Sequence, residues 1–409
     1  MTTEGARFDT DVPGIWGHWP TTPALWSYSS LKEMEVCPRR WMLSRATYPA
    51  LWSRRGYPAI PVVAAIFGNV VHGVVERLAQ ALADAGIESA TPGAVVSVLG
   101  DQGGWRGIVM HEIEHQLARF DDNPRVSAER IDRVREELIR RAPQAADQVK
   151  VFLGRGALPA ARHSSTEEMS GAGKGKPPRL PAAPGTHAER EVCADSLRLT
   201  GRIDLLVIDD IDVTVIDFKT GEEDAGHDDQ VRLYALLWGL DDRTNPEGRP
   251  ATKLEVAYPS RTRSVEPFDE AGLSTLQSAT AGRIAAADAI TEATSPVATP
   301  SPEGCQFCQV KHLCDVYWPT IPPAVSETST EEWFDFEGRA LRPHGTRSWY
   351  LEATNSTAEV LVRTVETNVP FPQGARVRLL GVRRTIDPDK EDRLVISMVS
   401  TSEWYAVSS

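Results

Sequence analysis

The chain of 409 residues has no apolar run long enough to span a bilayer, and its N-terminus lacks a signal-peptide pattern. No membrane association is expected, and the cytoplasm is the default. Cysteine is sparse. There are five, and in that compartment they are not expected to form structural disulfides. Basic residues are in deficit: 44 Lys and Arg stand against 57 Asp and Glu, a net charge of −13. No global positive field advertises a polyanion binder, although a groove can be locally basic on an acidic protein. What is present is ordinary for a globular protein, 41% hydrophobic and 25% charged. The length suffices for two or three domains.

The most informative stretch is 200–221, TGRIDLLVIDDIDVTVIDFKTG. Apolar runs at 205–208 and 213–216 flank an Asp-rich turn, which predicts two strands. Asp204 starts the first strand. Asp217 ends the second, and period-2 alternation puts Lys219 on the same face as Asp217. If the strands form a hairpin, Asp204 lies near Asp217. Two such carboxylates can hold a hard divalent cation and leave room for water and a phosphate oxygen. A nearby ammonium can stabilise developing negative charge. Taken alone, D-x-K also fits a surface hairpin with solvated charges.

Residues 1–26 read as an irregular arm packed by aromatics. Ser29 or Ser30 is expected to cap a helix running to about Cys37, with Glu33 completing a capping box. Pro38 then permits a restart. Arg39, Arg40 and Arg45 form a basic cluster, either a surface helix end or a phosphate contact. Residues 62–85 form an apolar helical pattern with His72 and Glu76 on one face. His72 read by itself fits a core histidine as well as a ligand. Helices are expected at 106–120 and 127–153. Residues 154–188, rich in Gly, Pro, Ala and Lys, read as a flexible insertion. A strand follows near 188–199, where Glu189 and Glu191 are rival candidates for a further acid and Cys193 reads as a buried thiol. Gln230 and Tyr234 share a helix face at i, i+4. A strand at 253–258 and a helix at 271–291 complete this region.

Cys305, Cys308 and Cys314 stand at C-x₂-C-x₅-C. Three thiols so close call for a fourth, and Cys37 is the expected donor, since it too precedes basic and aromatic residues. Four thiolates suit a [4Fe–4S] cluster or Zn²⁺. Closing so long a loop would stabilise the fold by at most about 5–6 kcal/mol. Residues 319–332 read as a linker. Five short strands are expected within 333–409, separated by turn residues, which fits an OB-like barrel. There Trp349, Tyr350, Trp404 and Tyr405 could stack on bases, with Arg376, Arg378, Arg383 and Arg384 on the backbone, or the aromatics are simply core.

Taken in order, SYSSLKEMEVCPRRW, GNVVHGVVERL, GRIDLLV, VIDFKTG, QVRLYAL and CQFCQVKHLC resemble the RecB-type branch of the PD-(D/E)xK nuclease superfamily. The closer likeness is to its iron–sulfur members, the AddB-type nuclease domain and the CRISPR-adaptation exonuclease. The resemblance runs from about residue 27 to 318. It implies an α/β fold: a PD-(D/E)xK core, a small mixed sheet flanked by helices, with an iron–sulfur staple. By resemblance, His72, Asp204 and Asp217 would be metal ligands, with a backbone carbonyl from Phe218, and Lys219 the catalytic lysine. Mg²⁺ or Mn²⁺ would be the ion. Gln230 and Tyr234 match a Q-x₃-Y helix that positions DNA. Cys37, Cys305, Cys308 and Cys314 would hold the cluster, and Glu189 falls near a family acid. Two departures stand out: Ile203 replaces the eponymous proline, and no extra Glu lies between Asp217 and Lys219. No G-x₄-G-K-[ST] run appears, so any unwinding would come from a helicase partner or a defence complex.

Expected domains are therefore an arm (1–26), a nuclease domain (27–318), a linker (319–332) and a C-terminal OB-like barrel (333–409). The first functional expectation is a Mg/Mn-dependent deoxyribonuclease, an exonuclease acting on single strands or ends in repair, recombination or anti-phage defence. The second is a catalytically inactive iron–sulfur scaffold that binds DNA in a larger complex.

Overall fold

The computed structural model describes residues 6–85, 87, 91–154, 179–293, 295–390 and 392–408. Residues 155–178, most of the stretch expected as a flexible insertion, lie outside them. In chain order, strands β1 (Arg7–Asp9), β2 (Trp16–His18) and β3 (Trp26–Ser27) lead into α1 (Tyr28–Val36) and α2 (Pro38–Arg45). Four more helices follow: α3 (Val63–Asp84), α4 (Pro92–Leu99), α5 (Gly104–Leu117) and α6 (Ala128–Leu153). Next come β4 (Gly185–Ala194), β5 (Leu199–Ile208), β6 (Val213–Phe218), α7 (Gly226–Leu240), β7 (Lys253–Ala257) and β8 (Thr262–Val265). Helices α8 (Glu270–Glu292) and α9 (Pro302–Gln306) precede six strands. These are β9 (Trp333–Pro343), β10 (Ser348–Ala353), β11 (Glu359–Arg363), β12 (Arg376–Thr385), β13 (Val395–Ser397) and β14 (Glu403–Val407). The chain packs as two compact units, one of residues 1–22, 32–59 and 287–409, the other of 23–31 and 60–286. Among the described residues no helix is long and apolar enough to cross a membrane.

The second unit is built on a mixed sheet in the order β3-β5-β6-β7-β8, with β4 also paired to β5. Strands β4, β5 and β6 are antiparallel neighbours, and β6 pairs in parallel with β7. A parallel pair needs a crossover, and α7 supplies it. The β5–β6 turn is set by Asp209, whose Oδ1 accepts the N–H groups of Ile211 and Asp212 at 2.8 and 2.6 Å. Helix α3 buries one stripe: Ile66, Phe67, Val70, Val71, Val74, Val75, Leu78 and Leu82. That stripe shares a core with α5, α6 and the sheet residues Leu205, Ile216 and Phe218. His72 and Glu76 fall on the other face.

In the first unit β9–β13 close into a five-stranded barrel, because β13 pairs both β11 and β12. A sixth strand, β14, adds to β12 and was not anticipated. The stretch read as a linker packs into the barrel: Val325 is fully buried in its core. Trp349 and Trp404 pack on the same core. Arg378 is buried among Glu337, Asp11 and the His312 carbonyl. Trp349 and Trp404 thus follow the core alternative, while Arg378 is buried on the face of β12 opposite the core residues Val377 and Leu379. The first-helix cap also differs. Ser27 is the last extended residue, and its Oγ accepts the Ser30 N–H at 3.2 Å, while Ser29 and Ser30 lie inside α1. Glu33 pairs with Arg45 instead of closing a capping box.

Candidate active site

The site begins as a row of acids across three strands. In the β4–β5 ladder Ala188 faces Leu205 and Arg190 faces Ile203, so Glu189 stands opposite Asp204. In the β5–β6 ladder Leu205 faces Ile216, so the next step sets Asp204 opposite Asp217. Residues directly opposite in antiparallel strands share a face, and like charges there repel. Glu189 also has φ of 51°, a left-handed conformation that a non-glycine residue rarely adopts inside a strand. Helix α3 brings His72 over this row. Its Nδ1 lies 3.4 Å from Glu189 Oε1 and 3.4 Å from Asp204 Oδ1. Ligand atoms of His72, Glu189 and Asp204 all lie within 4.8 Å of one another. Among the described residues this group contains Glu189 and not Glu191.

Each acid has a cationic neighbour: His72 for Asp204 and Glu189, Arg202 Nη1 for Glu189 Oε2 at 3.5 Å, and Lys219 for Asp217. Asp217 is 1% exposed, and neither of its carboxylate oxygens accepts a hydrogen bond. Lys219 Nζ lies 2.6 Å from Asp217 Oδ2, an ion pair by distance whose angle misses hydrogen-bond geometry. Burial, then the neighbouring Asp204 charge, push the Asp217 carboxyl well above the usual carboxylate range. Burial alone would pull the His72 imidazole down, yet the Asp204 and Glu189 carboxylates outweigh it and hold it up at about 10. Asp204 is half satisfied: its Oδ2 accepts the Phe218 N–H at 2.6 Å. Buried carboxylate oxygens without donors, beside an imidazole and two more acids, form a donor set suited to a hard divalent cation.

Lys219 Nζ also donates to Gln230 Oε1 at 3.1 Å, and Gln230 Nε2 donates to the Tyr234 hydroxyl at 2.8 Å. Gln230 and Tyr234 are thus tied to the lysine. Burial holds the Tyr234 phenol above its ordinary range, so it stays protonated. Helix α7 reaches this position because residue 201 has no side chain. A Cβ there would stand 2.9 Å from both Tyr234 Cε1 and Leu237 Cδ1. Gly201→Val should therefore destabilise the unit by about 1–3 kcal/mol in urea unfolding. It should also slow catalysis by tilting the Tyr234–Gln230–Lys219 chain. Unchanged stability would mean that α7 shifts freely and does not set the lysine.

A cleft of about 1080 Å³ opens over these residues, lined by His72, Asp204, Asp217, Phe218, Lys219 and Gln230 among others. Residues that the sequence reading passed over line it too: Arg77, Glu112, His115, Gln116 and Arg119. The available signal was E-x₂-H-Q in α5, which puts Glu112, His115 and Gln116 on one helix face.

In the first unit Cys37, Cys305, Cys308 and Cys314 line one cavity, together with Arg39, Arg40 and Lys311. Cys37 sits between α1 and α2, and Pro38 opens α2. Arg39 Nη2 lies 2.9 Å from Asp315 Oδ1, and Arg40 Nη1 donates to the Gly304 carbonyl at 3.4 Å. Both guanidinium groups are therefore engaged at the thiol loop. Burial pushes the Cys308 thiol up to about 11 and raises Cys314 as well, so the neutral thiol is favoured at both. The loop is anchored to the barrel: Lys311 Nζ and the Tyr317 hydroxyl reach Asp335 Oδ2 at 2.7 and 2.6 Å. In the second unit Cys193 is buried, its thiol 3.2 Å from Asp195 Oδ1.

No curated protein matches the chain. Among solved structures the protein SSO0001 is similar at 23% identity and a TM-score of 0.18, over 32% of this chain and 61% of that one. A murine DNA-binding protein bound with double-stranded DNA is similar at 9% identity and a TM-score of 0.19, over 50% of this chain and 84% of the other. The p204 HINb domain gives 10% identity and a TM-score of 0.20, over 55% and 97%. Overlaps this slight carry no argument. The family model of the PD-(D/E)XK nuclease superfamily, by contrast, matches residues 25–315. That match takes in the whole acidic row and well over half of the 409 residues, and the chain belongs to the PD-(D/E)XK nuclease superfamily.

Proposed function

We propose that the protein is a Mg²⁺- or Mn²⁺-dependent deoxyribonuclease that hydrolyses phosphodiester bonds of single-stranded DNA or DNA ends. Superfamily membership makes metal-dependent nuclease activity the coarse assignment. The finer reading rests chiefly on one observation: the buried Asp217 carboxylate, without a hydrogen-bond donor, stands beside Asp204 with Lys219 Nζ at 2.6 Å. Asp204, Asp217, His72 and the Phe218 carbonyl are the proposed ligands, with Glu189 an additional acid. Bound there, a divalent cation polarises the phosphoryl group and acidifies the attacking water. Lys219 orients that water or meets the charge developing on the phosphate. Gln230 accepts from Lys219 and fixes its direction, and Tyr234 fixes Gln230. The resemblance assigned Gln230 and Tyr234 to DNA; their hydrogen bonds favour positioning of the lysine. The proposed setting is the cytoplasm, in repair or anti-phage defence, with a partner supplying any unwinding. A cleavage panel over single-stranded, duplex and circular DNA with Mg²⁺ or Mn²⁺ tests this. Metal-dependent loss of the linear single strand is expected. Intact DNA in every lane, with salt-dependent binding retained, would instead support the inactive scaffold.

For the thiols we propose a [4Fe–4S] cluster on Cys37, Cys305, Cys308 and Cys314. All four cysteines line one cavity, which can bring four thiolates to a single inorganic cluster. Arg39, Arg40 and Lys311 supply positive charge around it, and Arg39 and Arg40 are better placed for this than for substrate. Anaerobically purified protein should be brown, with broad visible absorption that Cys308→Ser removes. A colourless protein with one equivalent of zinc would contradict the cluster.

A further inference from the structure

The cleft continues beyond the acids. Its floor is a stripe of α3 from Ala64 to Ala81, with His72 near the middle. At about 1.5 Å per residue the stripe is about 25 Å long, so the trough passes the acids in both directions. Its two arms differ in chemistry. Toward the start of α3, Gly68 lies against Thr220, and the adjoining lining residues Gly221 and Glu222 bring no positive charge. Toward the end of α3 the lining carries Arg77, His115 and Arg119 beside the acids Glu76 and Glu112.

Arg77 is held in an unusual way. Glu112 on α5 is 2% exposed, and its Oε2 accepts the Arg77 Nε at 2.8 Å. Its Oε1 accepts from Gln116 at 2.7 Å and lies 3.1 Å from His115 Nδ1. The carboxylate occupies the space where a side chain at position 73 would begin: a Cβ on Gly73 would meet it at 2.5 Å. Only glycine beside His72 admits the acid so close to α3. The grip uses Nε alone. Among the described residues the two Nη groups of Arg77 donate no hydrogen bond, the one bond coming from Nε. A guanidinium fixed at one edge, with its outer fork open to a cleft, is preorganised for an oxyanion.

We propose that Arg77, positioned by Glu112, binds a phosphate oxygen of a nucleotide next to the scissile one. The strand then lies along the C-terminal half of α3, with His115 and Arg119 continuing the track. This rests on the nuclease reading and adds the side of the acids on which the substrate is held. His72 and Arg77 are five positions apart, about 7.5 Å along the helix axis, so the two can meet neighbouring parts of one strand.

The test is fluorescence anisotropy of a short labelled single-stranded oligonucleotide bound to the full chain, with Ca²⁺ in place of Mg²⁺, over a salt series. Arg77→Ala should weaken binding about tenfold and reduce the log–log salt slope by about 0.7, the value for one phosphate contact on a single strand. A structural clamp between α3 and α5 would lower the melting temperature without changing that slope, and this result would overturn the proposal. If Arg77→Ala does not fold, Arg119→Ala decides, because it is exposed and meets the Glu112 grip only at its edge, donating to Gln116 Oε1 at 3.2 Å: a smaller slope supports the track and an unchanged one overturns it. Wild-type protein that binds no oligonucleotide would instead defeat the nuclease reading beneath it.

Discussion

Asp217→Asn should cut metal-dependent cleavage on the order of 10³-fold or more, since losing the proposed metal ligand would forfeit several kcal/mol of charge stabilisation. The same change should raise the melting temperature of the metal-free protein. The reasons lie in the acidic row. Asp217 is buried, accepts no hydrogen bond and stands opposite Asp204 on the adjacent strand. Its folded-state pKa is raised by burial and by Asp204, so its ionised form is disfavoured in the fold. An acid shifted upward in this way costs stability above its unfolded pKa, and the cost grows until pH passes the folded one. Asparagine keeps the shape and removes the charge. Lys219 would lose its ion pair but keep Gln230 as a partner. Full activity in Asp217→Asn would exclude this carboxylate from the chemistry. A lower melting temperature would mean that the Lys219 pair outweighs the repulsion.

The second large effect is on metal affinity. His72 binds a cation only as the neutral imidazole, yet in the metal-free site the Asp204 and Glu189 charges hold its pKa up at about 10. Between pH 7 and 9 binding must therefore expel a proton, and Mn²⁺ affinity should rise about tenfold per pH unit. Below that range the raised Asp217 adds a second proton and steepens the dependence. Above about 10 the histidine contribution levels off. The sign for folding is opposite. The raised histidine stabilises the metal-free protein fully below its unfolded pKa, and this is lost as pH rises through about 10. Calorimetric titrations in buffers of different ionisation enthalpy measure the protons released. Affinity that stays flat from pH 7 to 9, with no proton release, would remove His72 from the ligand set.

Much of this site was legible in the sequence because it is local. Period-2 alternation and one turn suffice to bring Asp204 to Asp217, and Lys219 follows by two residues. The hairpin register of β5 and β6 agrees with that expectation. Glu189 was undecided against Glu191, because the choice depends on a left-handed residue inside β4 that no periodicity signals. The Glu112–Arg77 grip was invisible for another reason. It joins α3 to α5 through a missing side chain at Gly73, and a long-range close approach leaves no local pattern. In the C-terminal region five strands were read from alternation, whereas β14 was missed because SEWYAV is short and follows a run of small polar residues. The aromatics there were ambiguous, since base-stacking and core-filling residues have the same composition.

Anomalous diffraction from Mn²⁺-soaked crystals bears most directly on the acidic row. Manganese is expected in the α3 cleft, about 2.1 Å from oxygens of both Asp204 and Asp217 and close to a His72 ring nitrogen. A crystal with manganese bound only elsewhere, and none between those carboxylates, would contradict a metal-dependent site built on them.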